Sequence, residues 1–290
     1  AANLVPGVSG GTIALITGIY ERTINAIKSF NLHWVHLLLQ RKFNKAIHYA
    51  DIPFLMVLFS GAFVSILVLA RVFELMLNHV PEYLWAFFFF FLLASVIYVG
   101  RRIQSLSLSV GILFTIGILL SGSLTFLNPL HENGAFYYLV LCGAIAMCSM
   151  ILPGLSGSYV LVLMGNYRLI MIQAVNSMDL DIIVPVGLGA VGGIIIFSRL
   201  IAYVFKHFRD QLIALMCGII TGCMGILWPW KSAVYQADPE GILMLNRSGE
   251  LIIKGYQWHI PDGGGEAIIA LIIMLIGYLL VATLEKFTSQ

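Results

Sequence analysis

Two stretches of this 290-residue chain, PGVSGGTIALITGIY at residues 6–20 and PGLSGSYVLVLMGNY at residues 153–167, are versions of one another. At a constant offset of 147, Pro6, Gly7, Ser9, Gly10, Gly18 and Tyr20 pair with Pro153, Gly154, Ser156, Gly157, Gly165 and Tyr167. Further on the offset becomes 128, where Gly61, Ala62, Arg71, His79, Leu84 and Ala86 pair with Gly189, Ala190, Arg199, His207, Leu212 and Ala214. The 19-residue change falls in a basic linker that is longer in the first copy. Chance supplies matches between small residues; two aligned glycine motifs and an in-register arginine within apolar sequence point to a duplication.

The solvent of the chain follows from composition. Hydrophobic residues make up 60% and charged residues only 10%, with a mean hydropathy of +0.94. A water-soluble domain carries roughly 25% charged residues. Lipid is the solvent that suits this deficit, and only helices or closed barrels span it, because every backbone polar group must be paired internally. The apolar runs are continuous rather than alternating, which selects helices. Spans are expected at 52–77, 83–100 and 108–127, and again at 182–205, 212–228 and 267–284. The pieces 139–152 and 155–164, parted by Pro153-Gly154, are too short to cross, since a span needs about 20 apolar residues. They are expected to form one re-entrant hairpin. Residues 4–27 form its counterpart, expected with the leading arm trimmed. The chain opens Ala-Ala-Asn, so a short stretch is expected ahead of it, and no cleavable signal peptide is visible.

The predicted class is therefore an all-α polytopic membrane protein of two inverted-topology repeats, residues 1–134 and 135–290. Each is a re-entrant hairpin followed by three transmembrane helices; three crossings, an odd number, invert the second half. Lys28, Arg41, Lys42, Lys45, Arg101, Arg102, Lys206, Arg209 and Lys286 then fall on one side, against Lys231, Arg247 and Lys254 on the other. The positive-inside rule makes the first side cytoplasmic and puts the loop 231–266 outside. That loop contains RSGELIIKG (247–255), which suggests a small hairpin.

A proline–glycine pair breaks a helix, and the small residues after it can open a new one with free N–H groups, a natural seat for an anion. Two such breaks at membrane depth are how transporters build a central site; close helix packing with a kink is the plainer alternative. Candidate phosphate-binding residues are Pro6, Gly7, Ser9, Gly10, Gly11 and Thr12 in the first copy, and Pro153, Gly154, Ser156, Gly157 and Ser158 in the second. Arg71 and Arg199 join them, because a charge within a span is costly and usually functional. Snorkelling to headgroups is the alternative, with Glu74 placed to neutralise Arg71. Glu21 is a candidate for H+ or Na+ coupling or else a helix-end residue near the cytoplasm.

The remaining features have plainer readings. The cluster His33, Trp34, His36 through Lys45 suggests an interfacial amphipathic helix. Trp228, Trp230 and Trp258 suit outer-interface anchors. Phe87–Phe90 is expected to be lipid-facing bulk, with an isoprenoid-contacting wall as the alternative. The four cysteines sit in apolar runs without metal or redox spacing, so they are expected as buried hydrophobes. No metal cluster, P-loop or nucleophile elbow appears, no cofactor is expected, and a net charge of +2 argues against nucleic acid.

The stretches ANLVPGVSGGTIALITGIYERTINAI (2–27) and MILPGLSGSYVLVLMGNYRLI (150–170) resemble the bacterial and archaeal polyprenyl-phosphate transporter family (PopT-type), and the resemblance runs over essentially the whole chain. It implies a flippase in the bacterial cytoplasmic membrane. Such a protein returns undecaprenyl phosphate, the carrier lipid of cell-wall precursors, from the outer to the inner leaflet, with that lipid and the bilayer as its partners. The second motif departs from the family's GxYE-like ending, reading Asn166-Tyr167-Arg168, so no carboxylate stands there. A transporter or channel for a small soluble anion, and a lipid-phosphate enzyme, are the competing functions.

Overall fold

The structure, a computed structural model, describes residues 10–124, 127, 130–235, 253–259 and 265–288. Two short helices come first, α1 (Gly10–Ile16) and α2 (Tyr20–Lys28), followed by a pair, α3 (Leu32–Leu39) and α4 (Phe43–Tyr49). Three long helices follow: α5 (Ile52–His79), α6 (Pro81–Gly100) and α7 (Leu108–Leu124). The second half again ends in three helices, after a different set of shorter pieces. It has α8 (Phe136–Ile151), α9 (Gly157–Leu163), a π-helical turn at Arg168–Ala174 extended by α10 (Val175–Ser177), then α11 (Leu180–His207), α12 (Arg209–Cys223) and α13 (Gly265–Thr288). It is a helical polytopic membrane protein. Three helices are long and apolar enough to cross a bilayer, or up to five if each bent pair counts as one span.

Some backbone features are shared between the two halves. α5 and α11 are both 28 residues long. Each ends one residue before the next helix, at Val80 (φ −146°, ψ 54°) and Phe208 (φ −135°, ψ 48°). Pro81 enforces the first of these stops, since it has no N–H for a helical bond. Phe208 makes the same stop without proline. The motif glycines also agree: Gly18 and Gly165 are left-handed, with φ of 71° and 75°. That region costs a residue with a Cβ roughly 1–2 kcal/mol, which is why glycine occupies both places.

Packing pairs α7 with α12, α6 with α13 and α8 with α11. In the last pair the backbones approach closely: a Cβ on Gly143 would collide with the carbonyl of Val186, and one on Gly189 with that of Val140. Without a hydrophobic drive between helices in lipid, such close approach is the main source of attraction. Asp210, in the first turn of α12, accepts from the amides of Gln104 (3.2 Å) and Ser105 (2.9 Å), tying the α6–α7 connection to the second half.

The largest core cluster gathers α1 and α2, α6, the end of α8, α11 and α12. α6 lies within it, and this corrects the expectation for Phe87–Phe90. Phe88 is only 4% exposed, Phe87, Phe89 and Phe90 are half-buried, and Phe88 stacks on Phe73 at 5.7 Å between ring centres. The neighbours of α6 decide this, since α1, α5, α12 and α13 all pack on it. The interfacial segment is also different from expectation: it is two helices, because Arg41 turns left-handed (φ 55°) after Gln40 caps α3. Outside the helices, β1 (Lys231–Tyr235) and β2 (Ile253–Trp258) form an antiparallel pair within the long loop.

Candidate functional site

The second motif is described in full. α8 stops at Ile151, Leu152 is extended, and Gly154 takes φ 91°. Pro153 and Gly154 are buried, with Gly154 against Ile219 and Ile220 of α12, and its carbonyl accepts a weak 3.3 Å bond from the Cys223 thiol. Ser156 is extended and opens α9; its hydroxyl lies 2.7 Å from that of Ser158, and both are half-buried. Gly157 is buried against the Ala146 carbonyl and the Met150 side chain. The break is thus a packed feature whose polar content is a pair of hydroxyls and the amides of a new helix. α9 is only seven residues long, so its dipole is small.

After α9 the chain turns by 111° into the π-helical segment. Asn166 holds this turn from within. Fully buried, it accepts from the Asn133 amide (2.9 Å) and donates to the Asn133 carbonyl (2.8 Å), while the Tyr138 hydroxyl donates to the Met164 carbonyl at 2.8 Å.

In the first motif, Pro6, Gly7 and Ser9 lie outside the described residues. Gly10 is exposed, Gly11 half-buried and Thr12 fully buried. At the end of α1, the guanidinium of Arg102 donates to the carbonyls of Leu15 (3.1 Å) and Ile16 (2.9 Å). A helix end leaves its last carbonyls short of helical partners, though that of Leu15 also accepts from the Gly18 amide at 3.3 Å, and a cation beside them complements the helix dipole. Tyr20 then begins α2, 3% exposed, and its hydroxyl donates to the carbonyl of Ile151 at 3.1 Å. One bond therefore joins the end of the first motif to the last helical residue before the second.

Glu21 is exposed and lines two depressions. The narrower lies between α2 and α11, with Ile24, Asn25, Ile201, Ala202 and Phe205. The wider, about 470 Å³, is walled by Gly18, Arg22, Asn25, Ser29, Tyr49 and Asp51. In its wall Arg22 grips Asp51 through bonds of 2.6 and 3.1 Å and covers the Phe54 ring at 4.3 Å. The hydrogen bond from Arg22 holds the Asp51 carboxyl below its ordinary pKa.

No hydrogen bond or ion pair among the described residues joins Arg71 or Arg199 to the breaks. Both are exposed on their helices and make no ion pair or hydrogen bond among the described residues; the side chain of Glu74 lies outside them. Cys142, Cys217 and Cys223 are buried and Cys148 is half-buried. Trp228 and Trp230 stack edge to face at 5.6 Å, and Trp258 is 62% exposed. Among the described residues no three His, Cys, Asp or Glu side chains cluster as metal ligands. Sequence reasoning missed Arg102, Asn166 and Tyr138 as clamps and used Tyr20 only as a repeat marker. The one available signal was the polarity of Asn166 beside a break in an apolar run.

The two glycine-broken helix pairs, α1–α2 and α9 with the π-helical segment, pack into separate apolar clusters of one helical membrane protein. Residues 1–243 match the VCA0040-like family, described as undecaprenyl phosphate translocase-like, and the chain belongs to that family. It is 32% identical to a polyprenyl-phosphate transporter of Vibrio cholerae serotype O1, over all of this chain and 94% of that protein. A polyprenyl-phosphate transporter of Staphylococcus aureus is 25% identical, over all of this chain and 93% of its own. No solved structure matches.

Proposed function

We propose that the chain is a flippase that carries undecaprenyl phosphate, or a closely similar polyprenyl phosphate, across the bacterial cytoplasmic membrane from the outer to the inner leaflet. The names of the Vibrio and Staphylococcus relatives support the substrate class. A bare phosphate in hydrocarbon loses all its hydrogen bonds with water, a cost far above thermal energy. The protein's work is to replace those bonds while the prenyl tail stays in lipid.

In this reading the halves 1–134 and 135–290 are inverted repeats, with the loop 231–266 outside, and each glycine-broken helix pair is re-entrant. The headgroup passes between the breaks, Pro6, Gly7, Ser9, Gly10, Gly11 and Thr12 on one side and Pro153, Gly154, Ser156, Gly157 and Ser158 on the other. Arg71 and Arg199, exposed where lipid would be, capture the phosphate and release it. An arginine fork matches a phosphate's oxygens and stays charged at any relevant pH. Glu21, at the lip of the wider depression, is the carboxylate best placed for H+ or Na+ coupling. The observation that carries the proposal is the Tyr20–Ile151 bond, which ties the end of the first motif to the helix that leads into the second.

The test is reconstitution in liposomes with a leaflet-specific probe for polyprenyl phosphate. The proposal expects protein-dependent loss of the lipid from one leaflet, with its phosphate ester intact. Release of inorganic phosphate would instead mark an enzyme. Uptake of a soluble anion with no lipid movement would mark an ion carrier.

A further inference from the structure

The 19-residue excess of the first repeat over the second is accounted for by one structural feature, the α3–α4 hairpin. It holds itself together. The Asn31 side chain accepts from the Trp34 amide (3.1 Å) and donates to the Tyr49 hydroxyl (2.9 Å), and Trp34 Nε1 donates to the Ala46 carbonyl at 3.1 Å. Leu37, Ala46 and Ala50 are buried on its inner side. The outer side is apolar and bare: Leu32 is 86% exposed, Leu39 77% and Phe43 57%, with Val35 and Ile47 also exposed. Leu32, Val35 and Leu39 share a face at helical spacing, as do Phe43 and Ile47.

The charge around this surface has one sign. From residue 22 to residue 50 there is no Asp or Glu, while Lys28, Arg41, Lys42 and Lys45 are all exposed. Asp51, the first acid afterwards, is occupied by Arg22. Apolar side chains flanked by cations fit a bilayer interface, where the former reach the acyl boundary and the latter meet lipid phosphates. A second copy would present the same cations and be repelled. Ser29 and Tyr49, at the two ends of the hairpin, also line the wider depression.

We infer that the α3–α4 hairpin docks on an anionic lipid surface, with Leu32, Val35, Leu39 and Phe43 inserted and Arg41, Lys42 and Lys45 on the headgroups. Docking sets the mouth of the Glu21 depression at headgroup depth, where an anionic lipid enters or leaves. This last consequence rests on the flippase reading; docking itself does not.

The experiment uses the full chain in liposomes, with an environment-sensitive dye on Leu39→Cys and an unsubstituted chain as the labelling control. With phosphatidylglycerol in the bilayer the dye is expected to be blue-shifted and shielded from aqueous iodide, and in pure phosphatidylcholine much less so. The triple variant Arg41→Gln/Lys42→Gln/Lys45→Gln should weaken docking about 100-fold, from about fivefold per basic residue. Equal quenching in both lipids overturns the inference, even if the triple variant fails to fold. Shielding that rises with the protein-to-lipid ratio overturns it in favour of a second copy. Because the dye reads docking without substrate, a failed flipping assay and a failed docking assay are separate results.

Discussion

Replacing Tyr20 by phenylalanine removes one hydroxyl and leaves the shape of the side chain intact. The ring keeps its place beside Phe205, 6.2 Å away between centres. What is lost is the donor to Ile151, a carbonyl with no helical substitute. The amide that would complete its turn, that of Leu155, bonds to Leu152 at 3.4 Å instead. An acceptor left unpaired in a dry interior costs about 1–3 kcal/mol. If the bond couples the two motifs during transport, the same energy corresponds to roughly 5–150-fold in rate. Thermal unfolding in detergent and polyprenyl-phosphate flipping in liposomes measure the two consequences. Tyr20→Ala, which also empties the ring's volume, should cost about 3–5 kcal/mol. A Tyr20→Phe protein with wild-type melting and wild-type flipping would refute the claim that this hydroxyl holds the motifs together.

Arg102→Lys keeps the charge but cannot reproduce the fork on Leu15 and Ile16. It should retain part of the activity that Arg102→Ala loses, and equal activity in the two variants would reduce the contact to simple charge. Arg71→Ala and Arg199→Ala should each cripple flipping while expression and melting stay near wild type, since neither side chain is bonded among the described residues; full activity in both removes them from the mechanism. Burial lowers the Lys231 pKa to about 8, and its ammonium lies 4.8 Å from the centre of the Trp85 ring. Because the folded value lies below the unfolded one, stability should rise as pH climbs from about 8 toward 10.5. Tryptophan emission should step near pH 8 in wild type and not in Lys231→Met.

Much of the architecture was legible because lipid leaves few choices. The span expected at 52–77 appears as Ile52–His79, that at 83–100 as Pro81–Gly100, and that at 182–205 as Leu180–His207. Hydropathy could not see which helix is central. Phe87–Phe90 is apolar on every side, so no period separates lipid from protein neighbours, and only the packed helices around α6 do so. The span expected at 212–228 is α-helical only to Cys223 and tightens to a 3₁₀ turn at Met224–Leu227, ahead of Pro229, whose place marks the end of the helix but not where the α-helix gives way. The clamps were hidden for another reason. Arg102 acts 86 and 87 residues from its acceptors, and Tyr20 acts across 131, separations at which spacing carries no information. The left-handed Arg41 was equally silent, since nothing distinguishes it from an ordinary basic residue in an amphipathic run.

The two motifs agree in backbone and differ in what holds them. Gly18 and Gly165 bend alike. At the first, the helix end is gripped by a half-buried guanidinium arriving from a loop, whose charge water can also solvate. At the second, the grip is Asn166, fully buried, with Tyr138 beside it. Opening the second turn would strand several neutral polar groups in a dry core at about 1–3 kcal/mol each. Opening the first exposes a cation that water and lipid phosphates accept. In an alternating-access cycle the cheaper opening is the one populated, so motion should concentrate at Gly18 and Arg102, beside the depression where Glu21 stands. Hydrogen exchange in lipid discs would locate it: faster exchange over α1–α2 than over α9 and the π-helical segment fits this asymmetry, and the reverse order would overturn it.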